Sequence, residues 1–188
     1  MTGQAVTGFY GKLPACGDFV RVGLPRRFTD SWDAWLQKVM CAGRGLLESE
    51  FLPAWLEAPM WRFVLAAGIC GPDPVLGVWM PSLDRIGRHF PLTFARVGPA
   101  SLISLDAEGF LDAAEQAGLA ALEEDLRPEN VVALLAPVPV GCPAELQLPL
   151  KGGRWWTLGG PRCSARTLCL SGLPDGETFA MMLDESAA

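Results

Sequence analysis

The stretch Met60-Trp61-Arg62-Phe63-Val64-Leu65-Ala66-Ala67, Gly68-Ile69-Cys70-Gly71-Pro72-Asp73-Pro74, Val75-Leu76-Gly77-Val78-Trp79-Met80 decides the fold. Its first and third parts are apolar runs of strand length, rich in β-branched and aromatic residues. Between them, Gly71-Pro72-Asp73-Pro74 is a turn by composition. A third run, Phe90 to Val97, follows a short glycine- and proline-containing loop. Consecutive strands joined this closely favour an antiparallel meander, since parallel neighbours need a long crossover.

Upstream, residues 7–11 and 17–21 read as short strands joined by a turn from Lys12 to Cys16. A helix is then expected from Thr29 or Asp30, either of which can cap it. Its stripe of Trp32, Trp35, Leu36, Val39 and Met40 follows the amphipathic helical spacing, and Gly43 and Gly45 are expected to end it. Glu48 to Glu57 reads as a second, short helix containing Pro53. Downstream, Asp106 to Leu126 reads as a long helix with Phe110, Leu111, Ala114, Ala117, Ala121 and Leu122 on one side. Glu123, Glu124 and Asp125 lie at its C-terminal end, where they oppose the helix dipole, which points to a role toward solvent or a partner.

The remaining residues predict a short helix at 129–135, a turn at Lys151 to Arg154, and strands at 155–158 and 167–170. A closing helix is expected at 175–183. Trp155 and Trp156 are adjacent, so a strand sends them to opposite faces, and one of them is expected to be exposed or to cover a helix. Trp32, Trp35, Trp61 and Trp79 are expected in the core. The predicted fold class is α+β, an antiparallel sheet flanked by helices with additional C-terminal strands. Its element order is that of longin, roadblock and profilin-like domains. A single domain is expected over residues 1–188, with a core at 7–126 and a C-terminal extension at 127–188 packed on it.

Composition narrows the function classes. Of the 188 residues, 50% are hydrophobic and 19% charged, enough to build a core and too apolar for disorder. The net charge of -6 argues against nucleic acid, whose phosphates need cationic neutralisation. Val64 to Gly71 and Val131 to Val140 are apolar but too short to span a bilayer, and Pro137 and Pro139 break the second. Met1-Thr2-Gly3-Gln4-Ala5 has neither a basic region nor an apolar core, so a cytoplasmic location is expected.

The cysteines at 16, 41, 70, 142, 163 and 169 have no metal-finger spacing and read as thiols. Cys41 and Cys70 are expected to act as small buried hydrophobes, and Cys16 is the one to test for reactivity. No metal or other cofactor is implied.

Two dense segments stand apart: Gly8-Phe9-Tyr10-Gly11-Lys12-Leu13-Pro14-Ala15-Cys16-Gly17-Asp18-Phe19-Val20 and Met80-Pro81-Ser82-Leu83-Asp84-Arg85-Ile86-Gly87-Arg88-His89-Phe90-Pro91-Leu92-Thr93. Crowded glycine, proline, aromatic and charged residues shape loops, and shaped loops carry recognition. Together with Trp32-Asp33-x-Trp35-Leu36, Pro59-x-Trp61-Arg62-Phe63 and Trp155-Trp156, they resemble the TagF family of bacterial type VI secretion systems. The likeness runs in order along most of the chain, densest over residues 8–93. It implies a cytoplasmic, non-catalytic protein that holds secretion in check after translation by binding a secretion component such as a forkhead-associated scaffold.

From the residues themselves, the partner-binding candidates are Lys12, Asp18, Phe19, Asp84, Arg85 and Arg88. Two guanidinium groups in one loop suit a phosphate or a carboxylate. Alternatively, Asp84 pairs with Arg85 or Arg88 and braces the loop, Asp18 bonds turn amides, and Phe19 and Phe90 belong to the core. An alternative reading is a small hydrolase or transferase using Ser82, Asp84 and His89, or Cys16. These triad residue types share one loop, but the nucleophile elbow Gly-x-Ser-x-Gly is absent. A structural subunit of the secretion apparatus is a third reading.

Overall fold

The computed structural model describes residues 4–135 and 147–187; the readings above for Pro137, Pro139, Cys142 and the first three residues lie outside this range. In chain order the elements are β1 (Val6–Gly11), β2 (Val20–Val22), α1 (Arg26–Leu47), a 3-10 turn (Glu48–Glu50), α2 (Phe51–Glu57), β3 (Trp61–Leu65), β4 (Val75–Met80) and β5 (Leu92–Val97). Then follow α3 (Ala100–Ile103), α4 (Ala107–Glu123), α5 (Pro128–Leu134), β6 (Gly153–Thr157), β7 (Arg166–Leu170) and α6 (Gly176–Leu183). The strands form one antiparallel sheet in the order β2-β1-β5-β4-β3-β6-β7. The meander predicted from residues 60–97 is its centre. The C-terminal strands extend the same sheet, because Trp155 on β6 pairs with Phe63 on β3.

The two faces of the sheet are covered differently. Under α1, α2 and α6 lie Trp32, Trp35, Trp55, Trp61, Trp79 and Trp155, packed with Phe63 and Phe179. Trp32 stacks between Phe28 and Phe63, with ring centroids 5.3 and 4.9 Å away. Most of these indoles have hydrogen-bond acceptors: Trp32 donates to Thr93 Oγ1 (2.9 Å), Trp35 to the Pro174 carbonyl (2.7 Å) and Trp61 to the Met182 carbonyl (3.1 Å). On the other face, α4 brings Ala114, Ala117 and Ala121 against Leu76, Val78, Met80 and Phe94. Small residues let α4 approach closely, and a Cβ at Gly118 would lie 2.3 Å from the Met80 sulfur. Trp155 is buried under α1, whereas Trp156 is partly buried on the α4 side, as the alternation requires.

Several boundaries move for physical reasons. The strand expected at 17–21 is only Val20–Val22, so Asp18 and Phe19 are in the loop. Helix α1 begins at Arg26 behind Pro25, not at Thr29 or Asp30. The Pro25 carbonyl accepts the Phe28 and Thr29 amides, and buried Thr29 turns its hydroxyl back to the Arg26 carbonyl. The helix runs through Gly43 and Gly45 to Leu47. Gly43 is buried, and a Cβ there would lie 3.1 Å from the Phe179 ring of α6. Cys41 is exposed, because it lies off the buried stripe of α1. Cys70 is buried, and burial pushes its thiol up to about 12.

Candidate partner-binding rim

At one end of the sheet, the β1–β2 and β4–β5 loops are locked into a single rim. The residue that joins them is Asp84, 1% exposed. One carboxylate oxygen accepts Lys12 Nζ at 2.7 Å and Arg88 Nε at 2.6 Å; the other accepts the backbone amides of Ile86 (3.1 Å) and Arg88 (2.9 Å). Burial alone would raise its pKa. The bonds from Lys12 and from Arg88, with the Ile86 amide, outweigh that and hold the carboxyl well below the usual range.

The second loop is thereby folded on itself: the Asp84 amide donates to the Arg88 carbonyl (3.1 Å) and the Gly87 amide to the Asp84 carbonyl (2.9 Å). Gly87 takes the left-handed backbone (φ 82) that this turn requires.

More bonds cross between the loops. The Arg85 amide donates to the Cys16 carbonyl at 3.0 Å, and Arg88 Nη2 to the Gly17 carbonyl at 2.6 Å. Ser82, buried, donates its hydroxyl to the Lys12 carbonyl at 2.8 Å. The Ser82 carbonyl in turn accepts Trp55 Nε1 at 3.3 Å and the Phe90 amide at 3.1 Å. The triad reading therefore does not assemble: Ser82 is bonded to backbone, Asp84 to Lys12 and Arg88, and His89 sits edge-on to Trp55 at 6.4 Å. Cys16 is half-buried, and burial followed by Glu129 raises its thiol pKa, with Arg85 acting against them. That is the reverse of an activated nucleophile.

The six candidate residues divide into two groups. Lys12 and Asp84 point inward and form the base of the rim. Asp18, Phe19, Arg85 and Arg88 are exposed. Of the two readings open for Phe19, partner contact or core with Phe90, its 49% exposure leaves it at the surface. It is nevertheless fixed, because it stacks on Tyr10 at 6.0 Å, meets Phe90 edge-on at 4.7 Å, and has Lys12 Nζ 5.1 Å from its ring centre. Aromatic pairs of this kind contribute ~0.5–1.5 kcal/mol beyond their buried area. Ile86, absent from the sequence candidates, is 70% exposed at the turn tip. The signal was there: a branched apolar residue beside the glycine of a charged five-residue turn. The crest therefore presents Phe19, Ile86, Arg85 and Arg88 on a base bonded by Lys12 and Asp84.

Arg62, in the Trp61-Arg62-Phe63 motif, has a structural task. It joins β3 to α4 by reaching Glu115 (2.6 Å), Asp112 (2.7 Å) and Glu108 (2.9 Å). Arg162 does the same for Glu50, Glu57 and Asp184, tying α2 to the end of α6. Among the described residues no cluster of three or more His, Cys, Asp or Glu is arranged to hold a metal. None of their helices is long and apolar enough to cross a membrane.

A family sequence model described as the TagF N-terminal domain, type VI secretion system-associated, matches residues 8–138. The crystal structure of PA0076 from Pseudomonas aeruginosa PAO1 is similar to the whole fold. Its TM-score is 0.80 at 34% sequence identity, covering 95% of this chain and 94% of that one. No curated protein matches the chain.

Proposed function

We propose that this chain, which belongs to the TagF family of type VI secretion system-associated proteins, holds secretion in check by binding another protein. The partner in this reading is a cytoplasmic component of the machine such as a forkhead-associated scaffold. Sequestration is the mechanism: while the partner's surface is occupied, assembly stays below threshold. The observation that carries the reading is the rim. Its base uses a buried Lys12–Asp84 pair to hold two loops together, and its crest exposes two large apolar side chains, Phe19 and Ile86, beside Arg85. A rigid crest loses little conformational freedom on association, which favours binding.

Arg85 is the cleaner of the two arginines to test. Arg88 also bonds Asp84 and Gly17, so reversing its charge disturbs the base. The experiment is a pull-down from lysate of the source cell with wild type beside an Arg85→Glu, Ile86→Asp variant of matched melting temperature. A forkhead-associated scaffold recovered by the wild type alone supports the reading. Equal recovery by both moves the site off the crest. Deleting the gene separates a regulator, whose loss raises secretion, from a structural subunit, whose loss abolishes it.

A further inference from the structure

Away from the rim, Arg96 is a half-buried arginine on β5 with no ion pair among the described residues. Arg27, Arg62, Arg88, Arg162 and Arg166 each meet a carboxylate. The surroundings of Arg96 hold it in place all the same. Nη1 donates to the Leu105 carbonyl at 2.6 Å, and the guanidinium carbon lies 4.5 Å from the centre of the Phe110 ring of α4. Burial lowers its pKa, with Asp106 acting against that shift.

Arg96 also lines a groove of about 470 Å³, open to solvent, between the start of β1 and the α3–α4 corner, together with Gln4, Thr7, Leu102, Leu105 and Asp106. Thr7 is directly opposite Arg96 in the β1–β5 pairing, so both side chains project from the same face of the sheet. With Nη1 occupied, the guanidinium still has its Nε–Nη2 edge, the pair of parallel N–H groups that matches a two-oxygen anion. No acceptor among the described residues takes either donor.

We propose that this groove is a carboxylate-binding site, in which the Nε–Nη2 edge of Arg96 grips both oxygens and the Thr7 hydroxyl supplies a further hydrogen bond. Asp106 sets the selectivity. Its carboxylate is turned toward the first turn of α4, where a Cβ at Gly109 would lie 2.4 Å from Oδ1. It remains in the groove as a fixed negative charge, which disfavours a phosphate dianion more than a singly charged carboxylate. The same chemistry is offered by a small organic acid and by a glutamate or aspartate side chain of a protein partner. The site does not depend on the rim, and its failure would leave the regulatory reading untouched.

The test follows the Arg96 Nε–H resonance by NMR in the full chain. Sodium acetate, sodium phosphate and the blocked peptide acetyl-Gly-Glu-Gly-amide are titrated against sodium chloride at equal ionic strength. A saturable shift with acetate or the peptide, weaker with phosphate, is expected. The variant Arg96→Lys, with its fold checked by its amide spectrum, should lose saturable binding at the neighbouring Thr7 amide. Asp106→Asn should tighten acetate binding about threefold, the scale of one partly exposed like charge removed. Tighter binding of the peptide than of acetate assigns the site to a protein side chain, and the reverse order to a small acid. A drift shared with chloride, binding unchanged in Arg96→Lys, or no tightening in Asp106→Asn overturns the proposal.

Discussion

The base and the crest of the rim come from the same two loops and obey opposite rules. At the base, Lys12 and Asp84 are buried, charged and fully engaged, 72 positions apart in sequence. At the crest, Phe19, Arg85 and Ile86 are exposed, and two of the three are large apolar residues. A loop motif whose composition suggests recognition can thus be half scaffold. The charged pair that seems suited to recognition holds the loops together, and in the proposed reading an inconspicuous isoleucine is left to meet the partner.

Removing the centre of the base should have the largest effect. Asp84→Leu leaves Lys12 buried without its counter-charge, the costly way to break such a pair. We expect a loss of soluble folded protein, or a melting temperature lowered by many degrees. Adding Lys12→Met should recover part of the loss, because no buried charge is then unpaired, while the Ile86 and Arg88 amides still lack their acceptor. Calorimetric melting of the single and double variants checks this.

The pH dependence of stability comes next. The Asp84 carboxyl has a depressed pKa in the folded state, so its stabilising contribution is fully present above the ordinary aspartate value of about 4. It is lost as pH falls below that value toward the folded one. Urea midpoints measured from pH 7 to pH 3 should therefore drop more steeply below about 4 in the wild type than in the Lys12→Met, Asp84→Leu variant.

Smaller again is Trp55→Phe, which removes the indole donor on the Ser82 carbonyl but keeps most of the ring. About 1 kcal/mol of stability should be lost, the scale of one hydrogen bond, with partner binding retained. The contrast is Trp79→Phe, because Trp79 Nε1 has no partner among the described residues. Chemical denaturation of the two variants side by side should show the smaller loss at position 79.

How far the base and crest were legible in the sequence depends on the range of the forces involved. Strand β4 was read to the residue, because an apolar run between Pro74 and Pro81 leaves no other boundary. Helix α1 was found by its stripe, but its start was misplaced: Thr29 and Asp30 look like caps, and nothing local shows that Pro25 already serves. Gly43 looked like a stop and is a contact for Phe179, a residue of the last helix. The rim followed the same pattern. That both loops are shaped was visible from their composition. That Lys12 turns inward was not, because its partner lies in the other loop, and the choice between surface and core for Phe19 stayed open because it depends on the Tyr10 and Phe90 rings that hold it from beneath.

The smallest expected effect concerns Cys16, between base and crest. Its thiol is half-buried with a raised pKa, whereas Cys41 and Cys169 are exposed. Maleimide labelling mapped by peptide mass spectrometry should therefore modify Cys41 and Cys169 before Cys16.

The central claim is that the crest binds and the base supports. Its most direct test is calorimetric titration of the proposed partner, a forkhead-associated scaffold, into wild type and into a Phe19→Ala, Arg85→Ala, Ile86→Ala variant, with melting curves recorded for both. At least a tenfold loss of affinity, about 1.4 kcal/mol, is expected, with the melting temperature nearly unchanged. Equal affinities, or a loss of affinity that merely follows a loss of folding, would contradict it.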